Sequence, residues 1–80
     1  MKARVYITLK KGVLDPQGRA VMGALKSINF KEVKDLRVGK FIEITISGLP
    51  KKEAQRRVNE MCQKLLANPT IEDFRVEIED

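Results

Sequence analysis

Leu65-Leu66-Ala67-Asn68-Pro69-Thr70-Ile71-Glu72-Asp73-Phe74 joins the end of a helix to the start of a strand. Pro69 cannot continue a helix, and its ring pushes Asn68 out of the helical region, so the helix stops there. Upstream, Ala54, Val58, Met61, Cys62, Leu65 and Leu66 recur at three- and four-residue spacing, which gathers them into the stripe that meets a core. Downstream, Phe74, Val76 and Ile78 alternate with charged residues at the two-residue period of a half-buried strand. That parity sends Phe74 toward the helices and leaves Ile71 pointing away. Leu65 and Leu66 are expected to anchor the helix in the core.

The same two periods organise the rest of the chain. Ala3, Val5, Ile7 and Leu9 alternate with Arg4, Tyr6, Thr8 and Lys10, which predicts a first strand over 3–10. Asp15 suits a helix N-cap and Pro16 the first helical position. Ala20, Val21, Ala24, Leu25 and Ile28 then form a stripe expected to face the core. Asn29 tolerates the left-handed conformation that closes a helix, and Phe30 packs back on it. Residues 32–38 and 41–47 read as two strands with Gly39-Lys40 as the turn between them. Ile42, Ile44 and Ile46 give the second of these a clear inner face, whereas Leu36 and Val38 are the only apolar pair of the first. Ser47-Gly48-Leu49-Pro50 breaks the strand, and Pro50 opens the second helix. The order is β-α-β-β-α-β, the ferredoxin-like arrangement. The expected fold is α+β, one domain over 1–80, with a four-stranded antiparallel sheet and two helices on one face.

Eighty residues bury only roughly 60% of their unfolded surface. Cys62 is the sole cysteine, so no disulfide supplements the core. Self-association is one remedy for a core this small, and the exposed face carrying Tyr6, Thr8, Phe41 and Thr45 is a candidate for it. Unpaired cysteine usage fits the reducing cytoplasm. No apolar run approaches the ~20 residues of a membrane span. Charge is uneven: residues 71–80 hold five carboxylates against Arg75 alone, while the chain as a whole carries +5. A basic body invites phosphate, nucleic acid or acidic partners.

Candidate chemistry is sparse. The chain has no histidine, which excludes a histidine-dependent triad and most zinc sites. Cys62 sits in an apolar stripe and reads as a buried thiol, not a nucleophile. The carboxylates of the last strand are split between its two faces, with no looped spacing to gather a cation. The segment from Lys10 to Gly18 puts lysines before a helix N-terminus, an anion-binding position, yet it lacks the glycine spacing of a phosphate loop. Gly18 falls in the first helical turn, where glycine costs ~1 kcal/mol relative to alanine. Its missing side chain marks a close approach by another backbone or a partner.

Three blocks carry a family resemblance. They are Lys11-Gly12-Val13-Leu14-Asp15-Pro16-Gln17-Gly18 with Ala20, Val33-Lys34-Asp35-Leu36-Arg37-Val38-Gly39-Lys40, and Met61 through Pro69 with Ile71-Glu72-Asp73-Phe74. In order and spacing they resemble the PurS family, small subunits of phosphoribosylformylglycinamidine (FGAM) synthase. That family often has Leu-Gly-Phe where this chain has Ile28-Asn29-Phe30, and tyrosine where Phe74 stands. The resemblance implies a non-catalytic bridging subunit in de novo purine biosynthesis, with no cofactor of its own. Its partners would be a PurQ-type glutaminase, which releases ammonia from glutamine, and a PurL-type synthetase. The synthetase uses ATP and magnesium to amidate formylglycinamide ribonucleotide. It also implies a homodimer or higher homo-oligomer. Asp15, Gly18, Arg37, Gly39, Lys40, Asn68, Pro69 and Ile71 are then the candidates for contact with the large subunits.

Two other functions share the β-α-β-β-α-β order. A regulatory ligand-binding domain of the ACT type often places a glycine near the start of its first helix, as Gly18 is here. An RNA-binding module carries aromatics on its first and third strands, where this chain has Tyr6 and Phe41. Lys51, Lys52, Arg56 and Arg57 add a basic patch, but Glu43 and Glu77 put negative charge on the aromatic face.

Overall fold

The computed structural model describes all of residues 1–80. Strand β1 spans Lys2–Leu9, helix α1 Pro16–Ser27, strand β2 Lys40–Thr45, helix α2 Lys51–Met61 and strand β3 Glu72–Glu79. The three strands form one antiparallel sheet in the order β2-β1-β3. Register follows the apolar alternation: Val5 lies opposite Ile42 and Val76, and Ala3 opposite Ile44 and Ile78. This puts all the inward apolar residues of three strands on one face.

Helix α2 covers that face against β1 and β3. Ala3, Val5, Ile7, Val58, Cys62 and Ala67 form the buried cluster, with Phe74, Val76 and Ile78 packed against it. The second helix begins at Lys51 with Pro50 before it and no side-chain cap. Its C-terminus departs from the regular period. Cys62–Leu66 form a π-helical turn closed by Ala67 N donating to Cys62 O at 2.9 Å. The wider turn retards the side-chain rotation by one position. Leu66 still reaches the core, but Leu65, expected to anchor it, is turned out to 83% exposure, and Met61 lies at the boundary.

The sheet has three strands, not four. Residues 33–39 form no regular element and pair with no strand. Parity accounts for this. A two-residue turn at Gly39-Lys40 would set Val38 beside Phe41 and Leu36 beside Glu43, placing both apolar side chains on the polar face of the sheet. The segment is tied instead to the base of α1, where Val38 N donates to the Asp15 carboxylate at 3.0 Å. A Cβ on Gly39 would strike Ile7 O and lie 2.9 Å from Thr8 Cγ2, so the chain crosses β1 closely where a hairpin turn was expected.

Nor do both helices lie on one face. Helix α1 is built as its sequence directs. Asp15 caps it, accepting from Gly18 N at 2.9 Å, and Pro16 opens it. Asn29 closes it at φ 84°, with Asn29 N donating to Lys26 O and Phe30 N to Leu25 O, a Schellman end. Yet its stripe does not reach the core. Gly18 is its only buried residue, and Val21, Ile28 and the following Phe30 are exposed. The helix stands off the sheet with the loop before it and the irregular segment after it. The molecule measures 49 × 26 × 14 Å with a radius of gyration of 15.9 Å, where about 12 Å is usual for a compact chain of this length.

Candidate functional site at one end of the sheet

Two sequence-distant groups of candidate residues meet at the end of the sheet where α1 departs. The first is fastened by Asp15. Its carboxylate accepts from Val38 N and Gly18 N, and these two amides, with Arg37 nearby, hold the carboxyl below its ordinary range. The clamp explains Gly18. A Cβ there would lie 2.5 Å from Asp15 Oδ2 and 2.9 Å from Leu36 O, so another backbone fills the space a side chain would need. The close approach expected from sequence is thus met within the chain.

The second group is the turn from α2 into β3. Asn68 organises it: Asn68 O accepts from Ile71 N and Glu72 N, and Asn68 Oδ1 accepts from Thr70 N. Glu72 Oε1 in return accepts from Asn68 N at 2.6 Å. Pro69 and Ile71 lie on the exposed outer side of this turn. The groups join where Lys10 N donates to Ile71 O at 2.8 Å and Lys40 Nζ stands 3.8 Å from the Glu72 carboxylate. Between them opens a cleft of about 340 Å³, bounded by Ile7, Thr8, Asp15, Val38, Lys40 and Glu72. Glu72 was read from sequence only as one of a run of carboxylates. The four-residue spacing from Asn68 to Glu72, a reciprocal cap across a turn, was the available signal. On the far side of α1, Lys10, Lys11, Arg19 and Arg37 border a wider cleft of about 550 Å³. Lys10 is matched there by Asp73, and the Asp35 carboxylate accepts from Leu36 N.

The open face of the sheet gathers only part of the self-association set. Tyr6 and Phe41 pair at 5.1 Å between ring centroids, and the Arg75 guanidinium lies 4.3 Å above the Tyr6 ring. Thr8 and Thr45 fall toward opposite ends of the face. The charges there are matched among themselves. Arg4 pairs with Glu79 at 2.8 Å, Lys2 with Glu43 at 3.5 Å, and Arg75 with Glu77. Tyr6 Oη donates to Glu77, which raises the phenol's pKa, while Arg75 and Tyr6 together lower that of Glu77. Arg4 lowers Glu79 likewise. An RNA-binding face wants free cations beside its aromatics, and here carboxylates occupy them. On α2, Arg56 is likewise held by Glu53 and Glu60.

No three His, Cys, Asp or Glu side chains gather as a metal site. Cys62 is buried, and its surroundings push the thiol pKa up, away from the reactive thiolate. No helix is long and apolar enough to cross a membrane.

The fold is that of a small α+β protein, a three-stranded antiparallel sheet with two helices, whose candidate residues gather at one end of the sheet. The chain belongs to the PurS family, described as phosphoribosylformylglycinamidine (FGAM) synthase, whose sequence profile matches residues 2–80. A Bacillus subtilis relative, the PurS subunit of that synthase, is 51% identical over 99% of this chain and 93% of its own. The solved B. subtilis PurS in its C2 crystal form superposes with a TM-score of 0.88 over 99% of this chain and 98% of that one. A chain in the solved structure of PurLQS from Thermotoga maritima is 30% identical, with a TM-score of 0.87 over 95% of this chain and 93% of that one.

Proposed function

We propose that this chain is the bridging subunit of FGAM synthase in purine biosynthesis. It holds a PurQ-type glutaminase and a PurL-type synthetase in one assembly, so that ammonia released from glutamine reaches the amidation of formylglycinamide ribonucleotide. The observation that carries this reading is the match along nearly the whole chain to a subunit of the Thermotoga maritima PurLQS structure. Glutamine, ATP and magnesium are then handled by the two large subunits in the cytoplasm, and this chain supplies geometry. Ammonia is mostly protonated near neutral pH and escapes into water. Fixing its source beside its acceptor raises its effective concentration, as any proximity effect does.

The end-of-sheet cluster suits contact with the large subunits. Asp15, Gly18 and Gly39 hold its backbone rigid, while Arg37 and Lys40 present charge, Asn68 a polar group, and Pro69 and Ile71 apolar side chains outward. A preorganised surface loses little entropy on docking. The test is capture of both large subunits by the tagged chain. The double variant Arg37→Glu, Lys40→Glu, checked for folding by circular dichroism, should lose one or both. Undiminished capture removes this end of the sheet from the interface.

A further inference from the structure

Lysines ahead of a helix mark the loop from Lys10 to Gly18, yet the cluster at the end of the sheet uses chiefly Asp15 and Gly18 from it. The rest of the loop opens to the far side of α1. There Lys10, Lys11, Arg19 and Arg37 border the cleft of about 550 Å³. They come from three segments: the loop, the start of α1 and the irregular segment after it. Backbone contacts hold these segments together. Val13 N donates to Lys10 O at 3.1 Å with Gly12 at φ 86°, a tight turn that carries Lys11 at its corner. Asp15 clamps Val38 to the base of α1 and so fixes the neighbouring Arg37 backbone. The arrangement therefore exists before any ligand arrives, which lowers the entropy lost on binding.

Charge and shape select the ligand. Lys11, Arg19 and Arg37 pair with no carboxylate, and only Lys10 is answered, by Asp73. The smaller cleft on the other side has Lys40 alone, and Glu72 answers it. Asp15 turns its two carboxylate oxygens to Gly18 N and Val38 N, so it closes the N-terminus of α1 and leaves an anion to the side-chain cations. Four cations against two carboxylates, Asp15 and Asp35, leave the lining of the cleft at +2. A phosphate monoester carries about −1.5 to −2 near neutral pH and neutralises that charge. Between the cations the wall is apolar, formed by Val13, Leu14, Met22 and Leu36, and Leu14 is 62% exposed. A bare phosphate leaves this wall wet, whereas a flat, weakly polar body attached to the phosphate covers it. We propose that this cleft binds a nucleoside monophosphate, with the phosphate among Lys11, Arg19 and Arg37 and the base over Leu14 and Met22. The guanidinium groups suit two-point contact with phosphate oxygens, and the volume falls in the range of about 300–1,000 Å³ usual for small-molecule sites. Lys11, Leu14 and Arg19 lie outside the surface assigned to the large subunits, so the inference stands independently of the bridging function.

Titration of the full, nitrogen-15-labelled chain with AMP, followed by amide chemical shifts, tests it. Saturable binding with a Kd below about 5 mM is expected, with the largest shifts at residues 11–14, Arg19, Leu36 and Arg37. The double variant Lys11→Gln, Arg19→Gln should raise the Kd at least ~10-fold. Both side chains are exposed, and the variant's own spectrum shows that the fold is kept. Lys51→Gln, Lys52→Gln removes the same charge from α2 and should leave the Kd unchanged. Adenosine and inorganic phosphate should each bind at least ~10-fold more weakly than AMP, the first for want of the phosphate and the second for want of the base. Inorganic phosphate binding as tightly as AMP shows an adventitious ion only, and ribose 5-phosphate binding as tightly removes the base from the cleft; either overturns the proposal. No saturable shift by about 5 mM AMP, shifts centred elsewhere, or equal losses in the two double variants overturn it as well. If Lys11→Gln, Arg19→Gln loses capture of a large subunit but binds AMP as before, the cleft belongs to an acidic segment of that partner and the nucleotide assignment fails.

Discussion

Two glycines on one helix make opposite predictions. Gly18 and Gly23 both lie in α1, where alanine is better than glycine by ~1 kcal/mol on backbone propensity alone. Around Gly23 a Cβ meets nothing within 4 Å, so Gly23→Ala should realise that gain. At Gly18 the Cβ would lie 2.5 Å from Asp15 Oδ2, 2.9 Å from Asp15 Cγ and 2.9 Å from Leu36 O. Neither neighbour is a free side-chain end: one is backbone, and the other is fixed by two amide donors. Overpacking of this kind costs about 1–3 kcal/mol, which cancels or exceeds the propensity gain. Gly18→Ala should therefore fall about 1–3 kcal/mol below Gly23→Ala, at least ~4 °C in Tm for a chain of this size. Thermal unfolding by circular dichroism at one fixed protein concentration reads the gap. If the two variants melt together, the Asp15 clamp and the fastening of residues 36–38 to α1 are wrong.

Other consequences are as direct. Ile7 is 1% exposed and belongs to the buried cluster, so Ile7→Ala should cost about 2–5 kcal/mol in denaturant unfolding, whereas Leu65→Ala should cost little because Leu65 is turned outward. The Asp15, Glu77 and Glu79 carboxyls are held below their ordinary values of 3.8 and 4.5, so they bind fewer protons folded than unfolded. Their contribution is complete above that range and is lost as pH falls through the lowered folded values; Asp15→Asn should flatten the acid limb of a stability-pH profile, and an unchanged limb counts against the clamp. The Tyr6 phenol, raised first by its hydrogen bond to Glu77, should ionise above its ordinary value of 10.0 in an ultraviolet titration and move back toward it in Glu77→Gln. Cys62 should resist thiol reagents in the native protein and react at once in denaturant.

Local signals were legible wherever the residue concerned answers to its own neighbours. The Asp15-Pro16 start, the Asn29 closure and the alternation of β1 and β3 are settled by backbone chemistry within a few positions, and all three stand in the structure. The parity that turned Ile71 away from Phe74 also holds: Ile71 is exposed while Phe74 packs on the core. Features set by distant partners were not legible. Residues 32–38 have enough apolar character for a strand, but their register decides whether they pair, and register depends on what the facing strand presents. The π turn that expels Leu65 has no composition signal. The α1 stripe reads as core-facing from its spacing, yet Gly18 is the helix's only buried residue and Val21 and Ile28 stay exposed. The candidate residues of the two ends were named from resemblance, and their convergence through Lys10, Ile71, Lys40 and Glu72 became visible only in three dimensions.

The most direct measurement of the central claim is reconstitution. PurL-type and PurQ-type subunits are combined with glutamine, Mg-ATP and formylglycinamide ribonucleotide, with and without this chain, and formylglycinamidine ribonucleotide formation is followed. With the chain present, a stable assembly should form and turn over with glutamine as the nitrogen source. Without it, turnover on added ammonia should persist while glutamine-dependent turnover is lost. Equal assembly and equal glutamine-dependent turnover in its absence would contradict the bridging function.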